Sequence, residues 1–459
     1  MNQQSNNRIS IMRDEPVAAS LMKLGIPTMI GMLISALYNA IDAYFVSGLG
    51  MSQMGAVSVV FPIVQIVIGL GMMFGAGASS YISRSLGKGD NAEANRTAST
   101  ALFASIFVGA VIIAGIMVFL NPVLMSLVAT DTILPYARAY AQIYVTGSII
   151  NVFTVTMNNL LTAQGATRFT MISMLTGSII NIILDPIMIY ALDWGIEGAA
   201  IATVISLGVN MALYIAYIAT KQGVLRLSLR NIRLSPQLLG EILKIGIPVL
   251  LFQLLASASM GLTNSAAKPY GDYAVAAMGA VIRIMTVGTY IVFGFLKGFQ
   301  PFAGYNYGAK QFDRLKKAIR LCLIWSTTFG MIAAIVLFAF AEPIVSIFGT
   351  DAEMVNLAGK ALRLNAILFV TFGFQMVYAS LYLSIGKSLV GGLLSLSRQG
   401  IFFLPLIYIL PRLFQLSGVI WVQPAADLLT TAVTFIFAIK INRALTVETP
   451  EYPQGGELT

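Results

Sequence analysis

The chain has 459 residues, of which 57% are hydrophobic and 10% charged, with a mean hydropathy of +0.82; soluble domains carry about 25% charged residues, so most of this one belongs in lipid. One cysteine, Cys322, and no histidine exclude a structural disulfide within the chain, zinc sites built on Cys or His, and imidazole chemistry of any kind. The net charge of +9 does not mark a nucleic-acid partner, because the basic residues cap apolar segments instead of forming a face.

The chain opens on a polar stretch, Met1 to Glu15, with no apolar core that ends in a small-residue cleavage site, so no secretory signal is expected. Beyond it, windows of about 20 apolar residues predict twelve membrane spans, at 21–46, 55–82, 97–120, 133–163, 169–192, 197–219, 242–267, 274–303, 318–340, 354–385, 389–411 and 417–440. The fourth and tenth exceed what a bilayer requires and are predicted to tilt or project. With the N-terminus inside, most lysines and arginines fall on the cytoplasmic side, among them Arg8, Arg13, Arg84, Lys88, Lys221, Arg226, Arg230, Arg233, Lys310, Arg314 and Lys440, whereas Arg138, Lys268, Lys360 and Arg412 fall outside. That division predicts a multi-pass protein of the bacterial inner (plasma) membrane with both termini cytoplasmic.

The sequence also repeats itself. Lys23-Leu24-Gly25-Ile26-Pro27 returns as Lys244-Ile245-Gly246-Ile247-Pro248, Met54-Gly55-Ala56-Val57 as Met278-Gly279-Ala280-Val281, and Thr130-Asp131 as Thr350-Asp351. Glycines 87, 165 and 198 match those at 308, 386 and 418. A colinear series of this kind means two homologous halves. The fold class is therefore an all-α integral membrane protein of twelve transmembrane helices in two pseudo-symmetric six-helix bundles. Its expected parts are an N-terminal lobe (1–220), a basic cytoplasmic linker (221–241), a C-terminal lobe (242–445) and a polar tail (446–459). Because six is even, both halves insert in the same orientation, an architecture suited to one half rocking against the other around a site between them.

No ATP-hydrolysing motif is present: Gly386-Lys387-Ser388 lacks the glycine a phosphate loop needs five positions earlier, where Leu381 stands. Ion coupling remains, and it requires an intramembrane group whose charge is neutralised during the cycle. Two acidic residues, Asp42 and Asp185, are read deep in apolar spans, where an ionised carboxylate costs about 2.5–3.5 kcal/mol even on lenient scales. Asn181 and Asp185 are four apart and share a helical face; Tyr38 and Asn39 accompany Asp42, and Thr203 adds a hydroxyl from the sixth span. Pro186 removes a backbone donor beside Asp185. The cluster suits H⁺ or Na⁺ as coupling ion, with no other cofactor and no metal beyond that Na⁺.

These residues, together with the Lys-Leu-Gly-Ile-Pro opening and the Leu-Tyr-Asn-Ala-Ile-Asp run ending at Asp42, resemble the MATE (multidrug and toxic compound extrusion) family over about residues 20 to 440. The resemblance implies a secondary transporter, not an enzyme, that exports amphipathic, often cationic drugs in exchange for H⁺ or Na⁺. It carries the N-terminal cation site onto Asp42, Asn181, Asp185 and Thr203. A C-terminal site used by another branch is not expected, since the seventh and tenth spans offer Gln253, Asn365 and Gln375 but no carboxylate. The substrate cavity is expected between spans 1, 2, 7 and 8, with Tyr38, Gln65, Gln253, Arg283, Tyr290 and Gln300 as polar or aromatic candidates and Met72, Met73, Met260, Met278 and Met285 nearby. Arg283 is awkward there, because an unpaired cation repels cationic drugs.

The glycines at 69, 71, 75 and 77 are expected to serve close helix packing. A lipid-linked precursor flippase of the same superfamily is the competing function, although only Arg283 and Lys297 are available to meet a pyrophosphate. An intramembrane aspartyl protease is remote, because Gly87-Lys88-Gly89-Asp90 lies in a charged loop and the chain has no Tyr-Asp dipeptide. A monomer in the lipid bilayer is expected.

Overall fold

The computed structural model describes residues 3–127, 130–220 and 223–447; Lys221 and nearly all of the polar tail lie outside them. The helices are α1 (Gln3–Arg13), α2 (Val17–Ser47), α3 (Met51–Gly87), α4 (Asn91–Val118), α5 (Leu120–Ser126), α6 (Leu134–Ala163), α7 (Thr167–Pro186), α8 (Gly195–Ala219), α9 (Pro236–Ala267), α10 (Asp272–Gly308), α11 (Phe312–Ala339), α12 (Ala341–Ser346), α13 (Ala352–Ser384), α14 (Ser388–Leu396) and α15 (Phe403–Val447). Ten helical stretches are long and apolar enough to cross a bilayer. One of them, reaching from 388 to 446, turns back at Gln415 (φ 53°) and so supplies two spans. α6 is equally long, but its buried face carries Ser148, Asn151, Thr154, Thr156, Asn158, Asn159 and Thr162, which lowers its hydropathy. With α6 the spans number twelve.

The spans fall where the apolar windows put them, but several helices run on for about one or two turns past the predicted ends, α4 and α11 at their starts and α15 at its end among them. The longest unbroken helices are α3 and α10, at 37 residues each, because both continue as helix through polar residues such as Arg84 and Asn306. The seventh span starts at Pro236, well before residue 242, because Ser235 caps it: its Oγ accepts from the Leu238 amide at 3.2 Å, and proline at the first helical position has no N–H to leave unsatisfied.

α2 to α8 form the first bundle and α9 to α15 the second. The two meet along α2–α10, α3–α9 and α3–α10. Closure between them is confined to the side that carries α1. There a single cluster of buried apolar residues runs through both bundles, from Leu21, Leu24, Met73 and Phe74 to Ile242, Leu296, Phe299 and Phe372. Toward the far side the cores separate, one around Val46, Ile63 and Tyr140, the other around Met278, Leu362 and Val419. The bundles therefore enclose a cleft that opens away from α1.

Glycine makes the seam possible. A Cβ on Gly77 would strike the Ile242 carbonyl, and one on Gly246 the Met73 carbonyl, so α3 and α9 touch backbone to backbone. Gly69 faces Leu250 across the same seam, whereas Gly71 and Gly75 pack inside the first bundle on Val155 and Asn159. Ser80 Oγ of α3 donates to the Leu383 carbonyl in the last turn of α13 at 2.6 Å, a hydrogen bond across the seam. α1 lies across the seam as well. Arg8 hydrogen-bonds the Tyr217 hydroxyl of the first bundle, while the Met12 and Glu15 carbonyls accept from Arg314 Nη2 of the second at 3.2 and 2.8 Å.

Candidate functional site

Tyr38 and Asp42 lie on the face of α2 that turns into the first bundle, where α7 brings up Asn181 and Asp185. Asp185 and Asn181 are 0% and 1% exposed. Asn181 Nδ2 donates to Asp185 Oδ1 at 3.3 Å, and the Asp42 and Asp185 carboxyls face each other within hydrogen-bonding reach. Tyr38, Tyr140 and Tyr144 surround them. Asn151 Nδ2 donates to the Tyr144 hydroxyl at 3.0 Å and holds that ring in place.

Neither carboxylate has an ion-pair partner among the described residues. Asp42 Oδ1, Asp185 Oδ2 and Asn181 Oδ1 are buried without a hydrogen bond. Each unmet buried polar atom costs about 1–3 kcal/mol, more if charged. Two carboxylates this close repel unless a proton or cation lies between them. The donor set, all hard oxygens, fits H⁺ or Na⁺. Directly after Asp185 the α-helical ladder ends at Pro186 and continues as a π-helical turn, Ile187–Ala191, the local loosening that proline imposes.

Two expected members of the cluster make their hydrogen bonds within their own helices. Thr203 Oγ1 bonds back to the Ala199 carbonyl of its own helix at 3.1 Å. Asn39 is exposed, with its amide on the Ser35 carbonyl at 2.7 Å. A step of three residues rotates it about 60° from Asp42, out of the bundle interior.

Of the cavity candidates, Gln65 on α3, Gln253 and Met260 on α9, and Arg283 and Tyr290 on α10 fall within about 40° of the helix faces that meet the other bundle at Gly69, Gly246 and Gly294. Met260 is 43% exposed. Met73 packs in the shared core and Met278 in the core of the second bundle, so neither lines the cleft. Gln300 lies on the closed side beside Ser80 and Ser83.

Reading only two aspartates deep in the spans needs correction. Asp427 of the last span is 4% exposed and accepts from Arg398 Nε at 2.7 Å and Nη2 at 3.3 Å, and from Gln423 Nε2 at 2.8 Å. Arg398 stands in a second π-helical turn, Ser397–Ile401, over the ring of Phe372. Gln375 of α13 donates to the Asp427 carbonyl at 3.0 Å and to Thr431 Oγ1 at 2.9 Å. Each stands in an apolar span, where a charge needs a partner, but spacing along the chain does not say which partner that is.

Twelve spans in two bundles, a cleft between them and a carboxylate pair enclosed beside it define a multi-pass membrane transporter, not an enzyme. Comparison with known proteins agrees. The multidrug export protein MepA of Staphylococcus aureus is 28% identical over 441 residues, 96% of this chain and 97% of its own. A multidrug resistance MATE family transporter of the MOP superfamily, solved in an outward-facing conformation, superposes with a TM-score of 0.89 at 28% identity, covering 96% of this chain and 98% of that one. A MOP superfamily transporter from Pyrococcus furiosus, described by the reverse polarity of its binding pocket, superposes with a TM-score of 0.89 at 27% identity, covering 97% and 99%. Residues 27–187 and 248–409 each match MatE, and the chain belongs to that family.

Proposed function

We propose that the chain is a secondary active multidrug exporter that exchanges H⁺ or Na⁺ for amphipathic drugs by alternating access. The observation that carries this is the Asp42–Asp185 pair, enclosed in the first bundle with unmet oxygens and no cation of the protein's own. Such a pair binds a mobile positive ion in one state and gives it up when hydration of the site changes. Asn181 orients Asp185 for it, and Tyr38 closes the site toward the second bundle. In this proposal the halves are 1–220 and 242–445, joined by 221–241. The α1 side is cytoplasmic, so the conformation described here faces outward. The names of the MepA relatives support drug export as the task.

The test is transport by the full chain in proteoliposomes under separately imposed pH and Na⁺ gradients, for the parent and Asp42→Asn. Export driven by one gradient and lost in the variant, with the protein still in the membrane, is the expected result. Equal exchange in the variant rejects the role of the pair.

A further inference from the structure

Ion coupling leaves two intramembrane cations of α10, Arg283 and Lys297, without a role. At 3.6 residues per turn, positions 283, 290, 294 and 297 fall within about 60° of one another, so they form one stripe. The direction of the stripe is known from its inner end. Gly294 packs on Met29 of α2, and Lys297 Nζ donates to Asn158 Oδ1 of α6 at 2.6 Å. The stripe therefore points at the first bundle. It is shut in the seam at Lys297, and Arg283 and Val287 (51% exposed) come into the open cleft farther out.

No carboxylate of the cleft walls neutralises either cation. On α2, Asp42 turns inward to Asp185, and Lys23 pairs with Glu15 at the α1 end at 2.7 Å. On α3 and α9, Arg84, Glu241 and Lys244 are grouped at that same end. Lys268 and Asp272 mark the far end. Asp272 stands three turns from Arg283, about 16 Å along the axis. Arg283 has no hydrogen bond or ion pair among the described residues, and Lys297 donates to a neutral amide. Positive charge thus stands at two depths between the bundles, Arg283 on an exposed turn of α10 and Lys297 in the closed seam.

We infer that the cleft selects amphipaths bearing an anionic group, zwitterions included, which Arg283 pairs with when the far side is open and Lys297 meets when the α1 side opens. This assignment rests on the transport function proposed above and narrows its substrate class. An unpaired cation in a confined, poorly hydrated cleft attracts an opposite charge and rejects a like one, so purely cationic compounds are the poor substrates. The anion is a carboxylate of a drug or a phosphate of a lipid-linked compound, which share the chemistry that Arg283 recognises.

The experiment uses the full chain in proteoliposomes and three probes: rhodamine B with its free carboxylate, its ethyl ester, and an isoprenyl pyrophosphate. The parent should move the carboxylate dye faster than the ester. Arg283→Gln should lower carboxylate transport by roughly tenfold, the loss of one charge-assisted pair, with transport of the cationic ester raised as the repulsion is removed, and Arg283→Lys should recover most of both changes. Lys297→Gln should act on the same dye and spare the ester. Faster movement of the pyrophosphate than of either dye supports the cationic cleft and assigns its anion to phosphate. Preference for the ester, or equal effects of Arg283→Gln on both dyes, overturns the inference while leaving ion-driven export standing. Movement of none of the three under either gradient overturns the transport function and this inference with it.

Discussion

In the first bundle Asp42 and Asp185 face each other with Asn181 as hydrogen-bond donor and three oxygens unmet. In the second, Asp427 is met by Arg398 and Gln423 at 2.7 and 2.8 Å. The two bundles descend from one repeated unit, and both place acid where water is scarce. In the proposed exchange the first leaves its charge to be balanced by an ion that comes and goes. The other tied the balancing charge to the chain. A buried pair of fixed charges is poor evidence for stability, yet removing one partner is severe. The difference therefore separates an exchanging site from a static one by what happens when a single charge is deleted.

The largest effect is expected at Arg398. Arg398→Met leaves Asp427 buried and alone, which costs about 3–5 kcal/mol, measured as a fall in thermal stability or in membrane accumulation. Adding Asp427→Leu should restore most of the loss, since apolar replacement of a whole buried pair is often neutral. A lasting defect in transport with normal stability would move Asp427 into the exchanging class. Asp42→Asn is expected to behave in the opposite way. Ion-driven exchange disappears, while thermal stability stays equal or rises because the amide removes a like-charge repulsion.

Smaller effects sharpen the boundary between cleft and bundle. Gln253→Ala removes one neutral hydrogen-bonding group and should change the affinity for individual substrates by roughly two- to tenfold, with ion coupling intact in a gradient-driven assay. The smallest effect should be at Asn39, whose amide satisfies only its own helix. Asn39→Ala is expected within about 0.5 kcal/mol in stability, with exchange unaltered; a lost gradient response would return Asn39 to the ion site.

The spans and the repeat were legible because both are written in local order, the first as runs of apolar residues and the second as colinear motifs such as those at Lys23 and Lys244. Asp42, Asn181 and Asp185 were legible for the same reason: a charged or amide side chain within an apolar run is conspicuous. What could not be read was rotation and long-range pairing. Asn39 differs from Asp42 by less than one turn, yet that rotation takes it out of the bundle interior. Arg398 and Asp427 are 29 positions apart and on different helices, so neither announces the other to a window scan. The glycine seam was partly legible. Close packing followed from the glycines of α3, but that Gly69 and Gly77 face the other bundle while Gly71 and Gly75 do not depends on how two long helices cross.

The short helix α1 is fastened to Tyr217 on one bundle and, through the Met12 and Glu15 carbonyls, to Arg314 on the other. Anything fused ahead of Gln3 is therefore attached to the joint itself. A purification handle or fluorescent reporter at that end pulls on the strap that fastens the two bundles together, so labels intended to be silent belong after the last helix.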